Sequence, residues 1–258
     1  MAVYLGNQLI GNGLYLGATN YNENSIFMSQ SVVSGNPVLS GRIFELNTTA
    51  QSAPLDSNTW RDVSGNGYNF AQTGSATYNS GSGWTLNGSS QYLLGPSTIN
   101  SWFTGSLSSS GVTMFVNMKK TNDNTAGNIV AGWNDSGANY KILLEATSAN
   151  RISYAISNQS GPVGNDTTSF IGTANEQRIM MLSYNPNDLT VWNNNIQMSG
   201  SMVATGTWST STPVWSIGAR FISGYSNFFG GSIKAALLYN RALNSTERTQ
   251  VYNYLLSL

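Results

Sequence analysis

Most of the chain consists of short β-type runs interrupted by Gly, Asn and Ser turns. In residues 112–118 and 140–146, successive side chains belong alternately to two faces, which is the period-2 pattern of a β-strand. In the second of these runs, Lys141, Leu143 and Glu145 share one face. The connections are too short for β–α–β crossovers, and the turns recur at sandwich-like spacing. The sequence therefore predicts an all-β fold with two antiparallel sheets.

A single helix is predicted at the end of the chain. Asn244 is a good N-cap residue, and Glu247 stands at the third helical position, where it completes a capping box. An apolar stripe with helical spacing follows; it consists of Val251, Tyr254, Leu255 and Leu258. We expect this stripe to pack against the sandwich or another subunit.

Residues 1–43 differ from the rest of the chain. Two apolar runs flank the Gly-Asn-Gly sequence of residues 11–13, which predicts two short strands around a turn. The Ser-, Gly- and Pro-rich residues 31–41 are typical of a linker. An isolated hairpin is marginally stable, so this segment is interpreted as an attachment arm, with an extra edge hairpin as the alternative. The candidate attachment residues are Val3, Tyr4, Leu5, Tyr15 and Leu16.

The composition excludes several function classes. The chain contains no His and no Cys, so it has no Ser-His-Asp or Cys-His nucleophile system, no thiolate or imidazole zinc site and no disulfide. Its formal net charge is zero, which argues against nucleic acid or anionic lipid as a partner. No apolar run approaches the length of a membrane span. The first residues lack the pattern of a secretory signal peptide, so none is expected.

Three segments together resemble the laminin-G / concanavalin-A-like jelly-roll family. Residues 60–67 and 83–93 resemble its opening strand pair, residues 178–194 a central hairpin, and residues 229–244 its closing strand and the sequence before the last helix. The resemblance implies that residues 44–258 form a jelly-roll sandwich with a short C-terminal helix, preceded by the N-terminal β-arm of residues 1–43.

The resemblance also implies calcium as a candidate ion. Carboxylate and carbonyl oxygens are the ligands that calcium takes in proteins. The oxygen donors to consider first are Asp62, Asn66 and Asp135. Because acidic residues are sparse, no rich calcium cluster is expected, and Asp62 has the alternative role of capping a turn.

Two clusters combine aromatic rings with amide and carboxylate groups, the combination that sugar sites use. The first contains Trp133, Asn134, Asp135, Asn139 and Tyr140, and the second contains Tyr225 and Asn227. These are the candidate carbohydrate-binding residues. The alternative is that the aromatic residues belong to the core and that the small polar residues form turns.

No catalytic role is expected. The β-glucan-cleaving members of the family are characterised by an E-x-D-x-x-E strand, which supplies two carboxylates. This triplet is absent here, and Glu145 is the only acid in its strand. A hydrolase that uses two carboxylates brought together by folding, such as Asp135 with Glu145 or Asp166 with Glu176, is the least favoured alternative.

The start of the chain, MAVYLGN, resembles those of small bacteriophage structural proteins. The leading hypothesis is a virion surface protein, either a head decoration, a head fibre or a tail adhesin. Its arm would bind other virion proteins, and its jelly roll would display a site for a host-surface glycan. A homo-oligomer is expected, with a trimer as one candidate. The competing hypothesis is a free-standing bacterial lectin or adhesion module.

Overall fold

The computed structural model of the protein describes residues 2–5, 8–12, 36–48, 58–107, 111–121, 126–133, 140–147, 151–158, 161–166, 173–186, 188–198, 206–210, 212–221 and 224–258. The chain divides into two compact units, Met1–Asn36 and Pro37–Leu258. The boundary thus lies earlier than the predicted one after residue 43. Residues 42 and 43 belong to a strand of the larger unit.

The smaller unit contains an antiparallel hairpin of β1 (Ala2–Leu5) and β2 (Gln8–Asn12). The prediction of a turn at residues 11–13 is wrong, because Gly11 and Asn12 pair with the first strand. Only Gly6 and Asn7 separate the two strands in sequence, and such a short Gly/Asn connection closes a hairpin at low entropic cost. Three attachment candidates (Val3, Tyr4 and Leu5) lie in β1, whereas Tyr15 and Leu16 lie outside the described residues.

The strands and helices of the larger unit follow in chain order. The first half contains β3 (Arg42–Asn47), β4 (Thr59–Trp60), β5 (Phe70–Thr73), β6 (Thr77–Asn79), β7 (Gly83–Asn87), β8 (Tyr92–Gly95), a 3-10 helix (Ser97–Trp102), β9 (Val112–Lys120) and β10 (Gly127–Trp133). The second half contains β11 (Tyr140–Ala146), β12 (Ile152–Asn158), β13 (Gly161–Asp166), β14 (Gln177–Asn185), β15 (Asp188–Asn193), β16 (Ile196–Gln197), β17 (Val214–Ile217), β18 (Arg220–Phe221), β19 (Tyr225–Ser226), β20 (Gly230–Tyr239) and α1 (Ser245–Ser257).

These strands form two large antiparallel sheets, which confirms the predicted jelly-roll sandwich. In the described residues, sheet A has the order β13-β12-β11-β10-β17-β8-β5-β4. Sheet B has the order β16-β15-β14-β9-β20-β7-β6, and β3 also pairs with β20. The main core takes side chains from both sheets, for example Ile142, Leu144 and Trp215 from sheet A and Met114 and Met180 from sheet B.

The C-terminal helix covers the other face of sheet B. Its capping box is formed as predicted, since Asn244 accepts from the N–H of Glu247 and the Glu247 side chain accepts from the N–H of Asn244. The stripe residues Val251, Tyr254 and Leu255 are buried against a cluster that includes Phe115 and Met181 of sheet B. Because both faces of sheet B are covered, β9 is buried along almost its entire length. None of the described helices is long and apolar enough to span a membrane.

A buried polar network joins β3 to the helix. The hydroxyl of Tyr254 donates to Glu45 at 2.7 Å, and the Asn47 amide donates both to Glu45 at 2.8 Å and to the Tyr254 hydroxyl at 2.9 Å. Arg42 also pairs with Glu45. Because a buried carboxylate needs partners that compensate for its lost hydration, this network favours one seating of the helix on the sheet.

Candidate functional site

The candidate site lies on the outer face of sheet A. Ala131 of β10, Leu143 of β11 and Ala155 of β12 are cross-strand neighbours, and together they form a small buried cluster on this face. Trp133, at the end of β10, is partly buried against the cluster. The small alanine side chains and the end of the strand leave the indole partly exposed at the surface.

Arg220 of β18 lies over the indole of Trp133. Its guanidinium carbon is 5.1 Å from the ring centroid, which is cation–π distance. The same guanidinium approaches the carboxylate of Glu145, with Nη1 3.4 Å from Oε2. Arg220 therefore links an aromatic ring on β10 to a carboxylate on β11.

Glu145 connects the site to the turn that follows β19. The residue is buried, with 7% of its surface exposed, and its Oε1 accepts from the amide of Asn227 at 2.9 Å. Asn227 has a φ of 48°, a left-handed conformation that Asn tolerates better than most residues. Its carbonyl accepts from the N–H of Asn128 at 2.8 Å. Asn227 thus joins the turn to sheet A through both its side chain and its backbone.

Four partly buried aromatic side chains flank the site; we call them the aromatic patch. The rings of Tyr225 and Tyr92 stack with centroids 3.9 Å apart. Phe221 meets Tyr225 edge-on at 5.2 Å, and Phe228 lies 6.2 Å from Tyr92. Burial, followed by the proximity of Tyr92, raises the pKa of Tyr225 to about 12, so its hydroxyl stays neutral at physiological pH.

The structure brings together candidate residues that form two separate clusters in the sequence. Trp133 of the first and Asn227 of the second both contact the Arg220–Glu145 pair. Tyr225 stacks against the neighbouring aromatic patch. We call Trp133, Glu145, Arg220, Tyr225 and Asn227 the Trp133 site.

Of the remaining candidates of the first cluster, Tyr140 alone lies within the described residues. The backbone of Tyr140 pairs with Trp133 in the ladder between β10 and β11. Asn134, Asp135 and Asn139 lie outside the described residues. Sequence reasoning missed Arg220 and Glu145 as members of this cluster, because no local pattern connects residues so far apart in the chain.

The carboxylate of Asp62, one of the proposed calcium ligands, is occupied by other partners. Oδ1 of Asp62 accepts from the N–H groups of Glu45 at 2.9 Å and Ser64 at 2.8 Å. Oδ2 accepts from the N–H of Tyr68 at 2.9 Å and from the Ser64 hydroxyl at 2.7 Å. The amide of Asn66 donates to two carbonyls of residues 42 and 43. The Asp62 carboxylate therefore does not fit a calcium ion. Asp62 and Asn66 instead order the loop after β4 and hold it against β3, the turn-capping alternative.

Within the described part of the chain, no group of three or more acidic side chains is positioned to hold a metal ion. Asp135, the third calcium candidate, lies outside that part.

Comparison with known proteins identifies solved structures that share the fold of this chain at low sequence identity. No family model and no curated protein matches the sequence. A botulinum neurotoxin type C structure, from a toxin that interacts with two ganglioside molecules, is similar with a TM-score of 0.61 and 13% identity over 84% of this chain and 52% of the toxin chain.

Two further solved structures have the same fold. A Trypanosoma rangeli sialidase in complex with a difluorinated nononic acid has a TM-score of 0.62 and 15% identity over 86% of this chain and 33% of the sialidase. The binding domain of botulinum neurotoxin DC in complex with SialylT has a TM-score of 0.60 and 12% identity over 84% of this chain and 52% of that one. This chain therefore spans about half the length of the toxin chains and a third of the sialidase.

Proposed function

We propose that the protein is a non-catalytic glycan-binding module that uses the Trp133 site. The observation that carries the proposal is the partly exposed Trp133 indole beside the Arg220–Glu145–Asn227 network. The apolar face of a sugar ring stacks on such an indole, while neighbouring polar groups fix its orientation through hydrogen bonds. The glycan ligands of the similar toxin structures support the same ligand class.

The charge balance of the site favours a neutral stretch of glycan there. Arg220 and Glu145 compensate each other, so a ligand does not have to bring a charge of its own. The aromatic patch beside them extends the apolar surface. A single site of this kind binds weakly, and affinity for a cell surface would come from many copies acting together.

The state of Glu145 argues against hydrolysis. Its two oxygens are engaged by Asn227 and Arg220, whereas a glycosidase needs one carboxyl group free to donate a proton and another to act on the sugar or on water. We therefore expect no turnover of β-glucans by the wild-type protein. Measurable hydrolysis that disappears in Glu145→Gln or Asp135→Asn would reverse this conclusion.

The biological setting that we propose is the surface of a bacteriophage particle. The support is the chain's start, its low charge and the separate compact unit Met1–Asn36. That unit would anchor the protein to other virion proteins through strand addition, and the protein would act as a homo-oligomer. Deleting residues 1–36 is expected to leave a folded sandwich that no longer incorporates into particles. A truncated protein that still incorporates would exclude the anchoring role and favour the free-standing lectin.

The Trp133 site is tested by comparing two tryptophan variants on a glycan array. Trp133→Ala should lose binding to the glycans that the wild type retains. Trp192→Ala is the matched control, because Trp192 also lies under an arginine, with the guanidinium carbon of Arg248 4.8 Å from its ring, but packs with the helix-side cluster. Equal binding by wild type and Trp133→Ala would overturn the site assignment.

A further inference from the structure

A cavity of about 450 Å³ lies between the 3-10 helix and residues 207–210 and 212, and it shares no lining residue with the Trp133 site. Its floor is formed by the buried residues Asn100, Phe103, Lys141, Trp208 and Ser209. Its rim is formed by the more exposed residues Ser101, Thr104, Gly105, Thr207, Thr210 and Thr212. The rim is therefore rich in hydroxyl groups, and the floor combines aromatic rings with a single charged side chain among the described lining residues.

The floor is held by fixed contacts. The Asn100 side chain donates to the carbonyl of Pro213 at 2.9 Å and accepts from the Trp215 indole at 2.8 Å. Phe103 stacks on Trp215 with centroids 5.3 Å apart and meets Trp208 edge-on at 5.1 Å. The cavity is thus part of the folded sandwich, since its walls belong to the main core.

A β-bulge turns Lys141 towards this cavity. Two residues of β11, Lys141 and Ile142, oppose the single residue Gly132 of β10. Strict alternation would put Lys141 on the outer face with Leu143, but a bulge re-aims a side chain. The Lys141 side chain instead runs to the carbonyl of Phe103 and is only 2% exposed.

Lys141 places a buried cation at the floor of the cavity. Its ammonium donates to the carbonyls of Phe103, at 3.0 Å, and Ser209, which uses two of its three N–H groups. No carboxylate of the described residues forms an ion pair with it. Burial lowers its pKa to about 8, so the group still carries its charge at neutral pH. An uncompensated buried cation is costly, and an anionic ligand would remove that cost.

We propose that this cavity is a second binding site, which takes a monosaccharide-sized sugar acid with its carboxylate on Lys141. The remaining ammonium N–H is available to that carboxylate, and a charge-assisted hydrogen bond of this kind is stronger than a neutral one. The threonine and serine hydroxyls of the rim suit a polyhydroxylated body, and Trp208 and Phe103 supply apolar surface. The volume falls within the usual range for small-molecule sites, roughly 300–1,000 Å³.

The test measures binding of four probes by isothermal titration calorimetry near neutral pH. The probes are glucuronate and N-acetylneuraminate, with glucose as the neutral counterpart of glucuronate and acetate as the bare anion. We expect binding of at least one sugar acid, at least about tenfold tighter than binding of glucose or acetate. Lys141→Met should remove this binding, while Lys234→Met, at a partly exposed lysine on β20, should keep it.

A second measurement does not depend on the folding of a variant. In the wild-type protein, an amine-specific reagent is applied at mildly alkaline pH, and the modification of Lys141 is followed by mass spectrometry with and without the sugar acid. We expect protection of Lys141 and no protection of Lys234. The proposal is overturned if neither sugar acid binds, if glucose or acetate binds as tightly, or if Lys141 is modified equally in the presence of a bound sugar acid.

Discussion

The guanidinium of Arg220 lies over the indole ring of Trp133, 5.1 Å from its centroid, although the two residues belong to distant parts of the chain. The contact orders Trp133 on one side and presents Arg220 to Glu145 on the other. It therefore connects the indole of Trp133 to the carboxylate of Glu145 within the Trp133 site. Its removal is the most direct perturbation of that site short of removing the tryptophan.

Replacing Arg220 with Met should weaken glycan binding and destabilise the fold modestly. Glu145 would keep Asn227 but lose its cationic partner, and a buried carboxylate without compensation costs about 1–3 kcal/mol. Chemical denaturation and glycan binding measure the two effects. Arg248→Met is the control, because it breaks the corresponding contact with Trp192 on the helix side and should leave glycan binding unchanged. Unaltered glycan binding by Arg220→Met would contradict the role given to the pair.

Tyr254→Phe should destabilise the seating of the C-terminal helix. The change removes the hydroxyl that donates to Glu45 and accepts from Asn47, which leaves a buried carboxylate short of a donor. We expect a loss of about 1–3 kcal/mol in the free energy of unfolding, measured by urea denaturation. Tyr252→Phe removes a hydroxyl from a half-buried helix residue and should change stability little. Equal losses in the two variants would show that the network adds nothing.

Asp62→Ala should destabilise the protein in a calcium-independent way. The variant removes the acceptor of four hydrogen bonds, one from Glu45 of β3 and three from Ser64 and Tyr68 within the loop after β4, so we expect a loss of about 2–3 kcal/mol. The thermal midpoint of the wild type should be the same in calcium as in a chelator. A midpoint that rises with calcium in the wild type and not in Asp62→Ala would instead establish a metal site there.

The titration of Lys141 should increase the free energy of unfolding as the pH rises from about 8 to about 10. Burial lowers its pKa from an ordinary value of 10.5 to about 8. In that interval the unfolded chain binds more protons than the folded one, so the free energy of unfolding increases with pH, by up to about 2 kcal/mol between pH 8 and 9.5. Above about pH 10 the trend reverses, because burial raises the pKa values of tyrosines such as Tyr225 and Tyr254.

The pH effect is measured by urea denaturation at several pH values in wild type and in Lys141→Met. The variant has no titrating group at this position, and its profile should be flatter between about pH 8 and 9.5. Parallel profiles in the two proteins would show that another group causes the rise.

Local sequence patterns correctly predicted the features that depend only on residues close in sequence. The capping box of Asn244 and Glu247 and the buried stripe of Val251, Tyr254 and Leu255 formed as expected. The alternation in β9 placed Met114 in the core. Each of these features depends on neighbouring residues and on side-chain periodicity, and both can be recognised in the sequence.

The predictions that failed concern positions where local sequence rules are compatible with more than one structure. Gly11 and Asn12 of the first hairpin belong to a strand and not to the predicted turn. The segment contains turn-forming residues at more than one place, and only strand pairing decides between them. Lys141 was expected beside Leu143 and Glu145, but the bulge opposite Gly132 turns it inward. A bulge depends on the partner strand, and a one-residue slip changes the face of a side chain.

The sequence by itself determined the all-β class, the C-terminal helix with its cap, and the exclusion of His- and Cys-based chemistry. Only the tertiary structure decided which polar and aromatic groups meet. Glu145 and Asn227 bond although they are 82 residues apart, and Trp133 meets Arg220 only because β18 contacts β10. The physical reason is that such contacts follow from strand order and register across the whole sandwich, whereas helix caps and strand periodicity follow from adjacent residues alone.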